Sequence, residues 1–274
     1  METIQFTRLE ATSTTTLAAD VTIIMTKFTN TTSDAIALAA RLPVGIYAGS
    51  TISDSVGNIY YFGGSTRSTR NRVVYKFNPN TTQVTQVGEL PLELSNAIKV
   101  DDSRVFLFGH TFLDHSSIVG FDLVSYESTI VGDLGYNCTK APGIRYKDDL
   151  WILCSSTLNP TSTTMLRYNL INGVTTAVKS FPYLAETPSL VWDEESTPYI
   201  TEGHQYPGDF VIKYDLEKPS DIHFIQVKMY PGNATYYYTG MGGVYVKKLN
   251  RIYLFGGLVS IPLFSGWKND IHTH

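Results

Sequence analysis

The amino-acid sequence predicts an all-β chain built from repeated units. A short apolar run that ends in small residues recurs along the 274 residues, and a second apolar stretch, ending in an aromatic residue and Asn or Asp, follows the first four of these runs. The runs begin 46, 45, 48 and 54 residues apart, at Ile59, Val105, Leu150, Pro198 and Ile252. Such even spacing indicates one supersecondary unit repeated along the chain.

Each unit carries two recognisable segments. The first reads NIYYFGG, RVFLFGH, DLWILCS, TPYITEG and RIYLFGG. The second reads VVYKFNPNTTQV, SIVGFDLVSY, MLRYNLINGV and FVIKYDLEKP, with its aromatic–Asx pair at Phe77–Asn78, Phe121–Asp122, Tyr168–Asn169 and Tyr214–Asp215. We expect the ring to pack between neighbouring units and the Asn or Asp side chain to cap the following turn.

The two ends of the chain carry partial units. Upstream, TKFTNTTSDAIALAARLP is similar to YKFNPNTTQVTQVGELP, with Phe28 standing 49 residues before Phe77. Downstream, RIYLFGG completes a first segment, and WKNDIHTH has the character of a second segment that is cut short. The sequence therefore predicts an outer half unit at the amino end and an inner half unit at the carboxyl end.

These features resemble the kelch motif over roughly residues 20–274. They are the apolar strand ending in Gly63–Gly64 and Gly256–Gly257, the aromatic–Asx pair, and the Leu–Pro pairs at 42–43 and 90–91. Three units depart from the motif by carrying Gly109–His110, Cys154–Ser155 and Glu202–Gly203 instead of a double glycine. The resemblance implies a β-propeller in which each repeat is a four-stranded antiparallel blade.

The repeat boundaries predict about five kelch-like repeats after a weakly structured extension, residues 1–19. They are an outer half blade 20–43, full blades of about 44–91, 92–135, 136–182 and 183–231, and an inner half blade 232–274. Propellers commonly close by completing one blade with strands from both termini, so we expect a five-bladed closed ring. The alternative is an incomplete six-bladed propeller, because residues 1–18 could contain one more strand.

Composition excludes some classes of binding partner but does not determine the cellular compartment. A net charge of −4 and a pI near 5.8 give no general attraction to nucleic acid, and no stretch approaches the ~18 apolar residues of a membrane span. We therefore expect neither nucleic acid binding nor membrane insertion. The first residues, METIQFTRLEATSTTTLAADV, lack a signal-peptide pattern, so we expect a cytoplasmic protein if this is the true amino terminus and a secreted one if a signal-bearing segment is missing.

Kelch-like propellers usually bind ligands on the loops that follow the double glycine. The first such loop, STRSTRNR, carries Arg67, Arg70 and Arg72, whose guanidinium groups suit a carboxylate or phosphate. Other loops carry His110, Asp114 and His115, and Glu202, His204 and Asp209, from which a metal site or an acid/base pair could be assembled across the rim. Neither set of loop residues has HxH or HExxH spacing, so we predict no metal and no cofactor.

The fifth loop, LVSIPLFSGW, is apolar where a loop is ordinarily polar. It contains Leu258, Ile261, Leu263, Phe264 and Trp267. One interpretation is a protein-binding patch that includes Phe264 and Trp267. The other is that the loop folds over the channel mouth or packs on the neighbouring blade.

Two covalent modifications are candidates. Antiparallel pairing about a turn near residues 147–149 would bring Cys138 and Cys154 within a few residues of register, so the two could form a disulfide if the protein is secreted; the alternative is two small, buried apolar side chains. Candidate N-glycosylation sequons lie at Asn30, Asn80, Asn137 and Asn233.

The sequence favours an interaction module whose rim loops bind a protein or peptide partner without catalysis. The alternative is a propeller enzyme, or a lectin-like protein, that acts on or binds a carbohydrate. Some kelch-like proteins are copper radical oxidases, but neither Cys138 nor Cys154 lies in a recognisable copper-site motif. Serine-hydrolase elbows, Walker A loops and dinucleotide fingerprints are also missing from the sequence.

Overall fold

The computed structural model describes residues 22–25, 37–46, 48–66, 69–110, 115–156, 159–181, 189–201, 210–226, 237–247 and 251–260. Its elements are β-strands, numbered in chain order. They are β1 (Thr22–Met25), β2 (Ala37–Arg41), β3 (Ser50–Ser53), β4 (Ile59–Phe62), β5 (Val73–Asn78), β6 (Gln83–Glu89), β7 (Leu94–Lys99), β8 (Arg104–His110), β9 (His115–Asp122), β10 (Ser128–Cys138), β11 (Gly143–Tyr146), β12 (Asp149–Ser156), β13 (Asn159–Asn169), β14 (Thr175–Phe181), β15 (Ser189–Trp192), β16 (Pro198–Thr201), β17 (Phe210–Tyr214), β18 (Ile222–Gln226), β19 (Tyr237–Val246) and β20 (Arg251–Ser260).

Most of these strands form four-stranded antiparallel sheets in which neighbours along the chain pair with each other. Sheet 1 contains β3–β6, sheet 2 β7–β10, sheet 3 β11–β14 and sheet 4 β15–β18. The other strands form two antiparallel pairs, β1–β2 and β19–β20. The prediction of an all-β chain with repeated four-stranded antiparallel sheets is therefore confirmed. Within the described part of the chain, no helix has the length and apolar character needed to cross a bilayer.

The chain divides into two compact units. The larger unit, Glu10–Pro182, contains β1–β2 and sheets 1 to 3. The smaller unit, Met1–Leu9 with Tyr183–His274, contains sheet 4 and β19–β20. In the smaller unit, Val191, Tyr199, Val211 and Ile252 form a buried cluster between sheet 4 and the β19–β20 pair.

Second and fourth strands differ in burial, which explains their different sequence patterns. In β4, which reads IYYF, Tyr60, Tyr61 and Phe62 are buried. The edge strand β6 reads QVTQVGE and is exposed or half-buried along its whole length. A strand that is covered on both faces becomes a continuous apolar run, whereas an edge strand does not. The second strand of a sheet is therefore the strand that the sequence pattern indicates most clearly.

Sheets 1 and 2 pack through a shared apolar core. The ring of Phe62 on β4 meets the ring of Phe121 on β9 edge to face, with centroids 5.3 Å apart. Leu107 and Val119 are fully buried in the same cluster. A second cluster joins sheets 2 and 3 and includes Phe108, Ile118, Leu150, Ile152 and Leu166.

The aromatic–Asx pairs close the turn between the third and fourth strands of all four sheets. The four rings are buried, as the sequence pattern predicts. In each sheet the following Asn or Asp oxygen accepts hydrogen bonds from backbone N–H groups two and three residues later. At Asp122 these donors are Ser125 and Val124, at 2.7 and 2.8 Å, and they hold the pKa of the carboxyl below its usual value.

The double glycine of sheet 1 allows β4 to end against the next sheet. Gly63 and Gly64 have φ angles of 62° and 83°, in the left-handed region. A Cβ atom on Gly63 would lie 1.6 Å from the carbonyl oxygen of Leu94, the first residue of β7. Gly109, with φ of 63°, has the corresponding place in sheet 2. Backbone conformation and close packing together require glycine at Gly63.

Candidate functional site

Strand direction defines two ends for each four-stranded sheet. Second and fourth strands run the same way, so their carboxyl ends share one end of the sheet, which we call the rim end. The rim end carries the loop between the second and third strands and the segment that follows the fourth strand. The opposite end, with the turns after the first and third strands, is the turn end. The kelch resemblance predicts that ligand-binding residues lie at the rim end.

Internal hydrogen bonds organise the rim-end loop of sheet 1. The buried Asn71 side chain donates through Nδ2 to the carbonyl oxygens of Gly63 and Val73, at 2.7 and 3.0 Å. The Thr66 N–H donates to the Thr69 carbonyl oxygen at 2.7 Å, and the Thr69 N–H donates to Thr66 Oγ1 at 2.9 Å. These bonds fix the backbone next to Arg70 and Arg72.

Two of the three predicted arginines are paired with carboxylates at this rim end. Arg70 Nη1 lies 3.0 Å from Glu93 Oε2, and Arg72 Nη2 contacts Glu89 Oε1. The arginine side chains remain 37% and 45% exposed. Arg67 lies outside the described residues. The structure thus brings together two guanidinium groups and two glutamates that the sequence pattern did not single out.

These ion pairs are weak enough to be exchanged. Pairs between solvent-exposed side chains contribute about 0–1 kcal/mol, because water and salt screen them. An incoming carboxylate could therefore replace Glu89 or Glu93 on the arginines at little cost. Chemically, this corner of sheet 1 can bind a carboxylate bidentately and can offer its own glutamates to a cation.

The predicted histidine positions are only partly described. His110 ends β8 and His115 begins β9, so the backbone places them on either side of one rim-end loop of sheet 2. The other candidates fall outside the described residues: Asp114, Glu202, His204 and Asp209. Within the described ranges, no group of three or more His, Cys, Asp or Glu side chains could hold a metal ion.

The predicted fifth loop, LVSIPLFSGW, begins as part of a strand. β20 continues past Gly256–Gly257 to Ser260, and Leu258 pairs with Thr239 of β19. The prediction of a loop directly after Gly257 is therefore wrong at Leu258, because backbone pairing with β19 continues for three more residues. Ile261, Leu263, Phe264 and Trp267 lie outside the described residues.

A disulfide joins sheets 2 and 3 at their rim ends. Cys138 and Cys154 are bonded, with Cα atoms 5.2 Å apart, and both are buried. Cys138 is the last residue of β10, so it belongs to sheet 2 and not to the following blade in which the sequence boundaries placed it. Thr139 N–H donates to the Ser155 carbonyl oxygen at 2.7 Å, so residues that precede β11 also pair with β12.

Replacing both cysteines with serine is expected to lower the free energy of unfolding by about 3 kcal/mol, because a cross-link that closes a loop of this length restricts the unfolded chain. The two cysteines are 16 residues apart. Guanidinium unfolding followed by tryptophan fluorescence measures the loss, and reduction of the unsubstituted chain should reproduce it. Equal stability of the oxidised, reduced and C138S/C154S chains would contradict the expectation.

Buried polar side chains concentrate at the rim ends of the larger unit. Among the described residues, Asn58 is the buried polar side chain at a turn end, whereas Ser65, Asn71, Ser95, Thr139, Ser155 and Thr163 lie at or near rim ends. Ser155 and Thr163 share a hydrogen bond of 2.9 Å between their hydroxyls.

A cluster of one lysine and two tyrosines, which the sequence patterns did not indicate, lies at the turn end of sheet 1. Lys76 Nζ donates to Tyr126 Oη at 3.1 Å and stands 5.6 Å from the centre of the Tyr60 ring. Burial, with smaller effects of Tyr126 and Asp54, raises the pKa of Tyr60, so its phenol stays protonated. Tyr126 has a φ of 63° and is held there by packing against sheet 1. The cluster fastens sheet 2 to sheet 1.

The comparisons with known proteins identify a shared fold. No protein-family model and no curated protein matches the chain. Among solved structures 417 chains match, so the architecture is widely shared and does not by itself indicate a function. One of them, the structure of YjhT, aligns with a TM-score of 0.59 and 10% sequence identity, over 74% of this chain and 70% of that chain. The chain therefore has a fold similar to that of YjhT.

Proposed function

We propose that the chain is a kelch-like β-propeller that acts as an interaction module, binding a protein or peptide partner with its rim-end loops. In this proposal sheets 1 to 4 are four blades of a five-bladed ring. The pairs β1–β2 and β19–β20 supply the outer and inner halves of the fifth blade. Two-stranded sheets are marginally stable alone and have open edges, which favours their completion into one blade.

The observation that carries the proposal is a constant framework with variable loops. The four turns between third and fourth strands repeat one hydrogen-bond pattern. The bounds of the second and third strands leave segments of different length between them, residues 63–72, 111–114, 157–158 and 202–209. A rigid scaffold that holds loops of different length and composition is typical of binding modules.

The positive charge of the rim-end loop of sheet 1 indicates the chemistry of the partner that it would bind. The whole chain has a net charge of −4, yet the segment STRSTRNR carries three arginines and no acidic residue. Arginine is enriched in the energetically important centre of protein interfaces, and its fork of donors matches a carboxylate. The partner we propose is a peptide segment that presents acidic side chains to Arg70 and Arg72.

A displayed library of random peptides, selected against the immobilised full chain, tests this function. Selected peptides should be enriched in Asp and Glu, and the R70A/R72A variant should bind them at least about tenfold more weakly, as loss of ~1.4 kcal/mol implies. The matched control is K99A/R104A. It removes two cations that are also ion-paired, to Asp102 and Asp101, but that lie at the turn end of sheet 2.

Two results would overturn the proposal. Equal weakening by the two double variants would show that only the general charge of the chain matters. Selection of no peptide, together with specific binding to an array of glycans, would favour the carbohydrate-binding alternative.

A further inference from the structure

Asn80 stands in an accessible sequon of the folded chain. Asn80, Thr81 and Thr82 are all exposed in the turn between β5 and β6, outside the strand ladder. The backbone N–H groups of Asn80 and Thr81 donate to Asn78 Oδ1, at 2.9 and 3.2 Å, which holds the turn in a defined shape. The Asn80 side chain and the Thr82 hydroxyl, which donates locally to the Thr81 carbonyl oxygen at 2.7 Å, thus both lie on the surface at the turn end of sheet 1.

Asn137 stands in a sequon that folding closes. Asn137 itself is exposed, but Cys138 is fully buried and Thr139 is 8% exposed. The Thr139 N–H donates to the Ser155 carbonyl oxygen at 2.7 Å, and Cys138 is bonded to Cys154. Glycan transfer requires the Asn amide and the hydroxyl two residues later to enter one enzyme site together. Because residues 137–139 are held by the disulfide and the backbone hydrogen bond, they cannot present the amide and the hydroxyl together.

The disulfide and the sequons point to the same compartment. Persistent disulfides form in oxidising compartments such as the lumen of the endoplasmic reticulum, where N-linked glycans are also attached. Both cysteines of this chain are used in one bond, and one of them is the middle residue of a sequon. The two modifications therefore compete for Asn137–Cys138–Thr139.

We propose that Asn80 carries an N-linked glycan on the folded chain, and that formation of the Cys138–Cys154 disulfide closes the acceptor at Asn137. Transfer forms a bond between the Asn Nδ2 atom and C1 of an oligosaccharide. The lipid-linked pyrophosphate leaves, and the amide loses a proton. The disulfide forms by thiol–disulfide exchange with an oxidant that carries its own disulfide. That oxidant is reduced to a dithiol as Cys138 and Cys154 are oxidised.

Site occupancy in a secretory host tests the proposal. The full chain, placed behind a cleavable secretion signal, is produced in cultured eukaryotic cells, and occupancy is read by mass spectrometry after enzymatic glycan release in heavy-oxygen water. In the unsubstituted chain we expect high occupancy at Asn80 and low occupancy at Asn137. C154S leaves the sequon Asn137–Cys138–Thr139 intact and should raise occupancy at Asn137 several-fold, with Asn80 unchanged.

A second variant separates the bond from general unfolding. L166A removes a fully buried side chain of β13 from the cluster that also contains Cys138 and Cys154, and it destabilises sheet 3 while leaving both cysteines present to form their bond. Occupancy at Asn137 should stay low in L166A. The proposal is overturned if Asn80 is unoccupied, if C154S leaves Asn137 as it is, or if L166A raises Asn137 as much as C154S does.

Discussion

Replacing Gly63 with alanine is expected to destabilise the larger unit by about 3–5 kcal/mol, one of the two largest single-residue losses that we expect in this chain. Two costs add. The left-handed φ of 62° strains any residue with a Cβ atom, and that atom would lie 1.6 Å from the Leu94 carbonyl oxygen. Since the obstacle is backbone of β7, it cannot move aside without shifting the strand. Urea unfolding of G63A, followed by circular dichroism, measures the loss.

Gly57 provides the matched control. It also has a left-handed φ, 89°, but an added Cβ atom would meet nothing within 4 Å. G57A should therefore cost only the conformational strain, about 1–2 kcal/mol. Equal losses in G57A and G63A would show that the contact with β7 does not matter, and would contradict the role given to the double glycine.

Replacing Phe121 with alanine is expected to cost about 3–5 kcal/mol, because a buried aromatic ring of the repeated motif is lost and leaves a cavity. The ring is 1% exposed and packs edge to face on Phe62 of the neighbouring sheet. Its loss removes both core volume and one of the contacts between sheets 1 and 2. Thermal and urea unfolding of F121A should both show the decrease.

Val124 lies in the turn after the same strand and supplies the control for F121A. Its side chain is 77% exposed, so V124A should change the free energy of unfolding by no more than about 0.5 kcal/mol. If F121A were as mild as V124A, the aromatic–Asx ring would not be the inter-sheet contact that its burial indicates.

Much of the sheet architecture follows from local sequence signals. The aromatic–Asx pairs predicted their turns because an Asx oxygen and the backbone two and three residues later are close in sequence, as at Asp122. The end of β10 was harder to predict. Its register shifts between Ile130 and Gly132 and again between Asp133 and Cys138, so alternation is interrupted and the blade boundary was set three residues early.

The candidate site was less predictable because its contacts are distant in sequence. Arg70 and its partner Glu93 are separated by 23 residues, and Lys76 and Tyr126 by 50. Such pairs depend on which strand ends meet, and no local pattern of charge or hydrophobicity encodes that. The sequence therefore indicated the arginine loop as a candidate but not the glutamates that hold it.

Hydrogen exchange of the backbone amides of β1 tests the proposed five-bladed ring most directly. In the full chain, a completed fifth blade should protect the amides of residues 22–25 as strongly as those of β5, residues 73–78. Exchange as fast as that of the exposed turn at residues 80–82 would mean that β1 and β2 remain a marginal two-stranded pair, and would contradict a ring completed by strands from both ends.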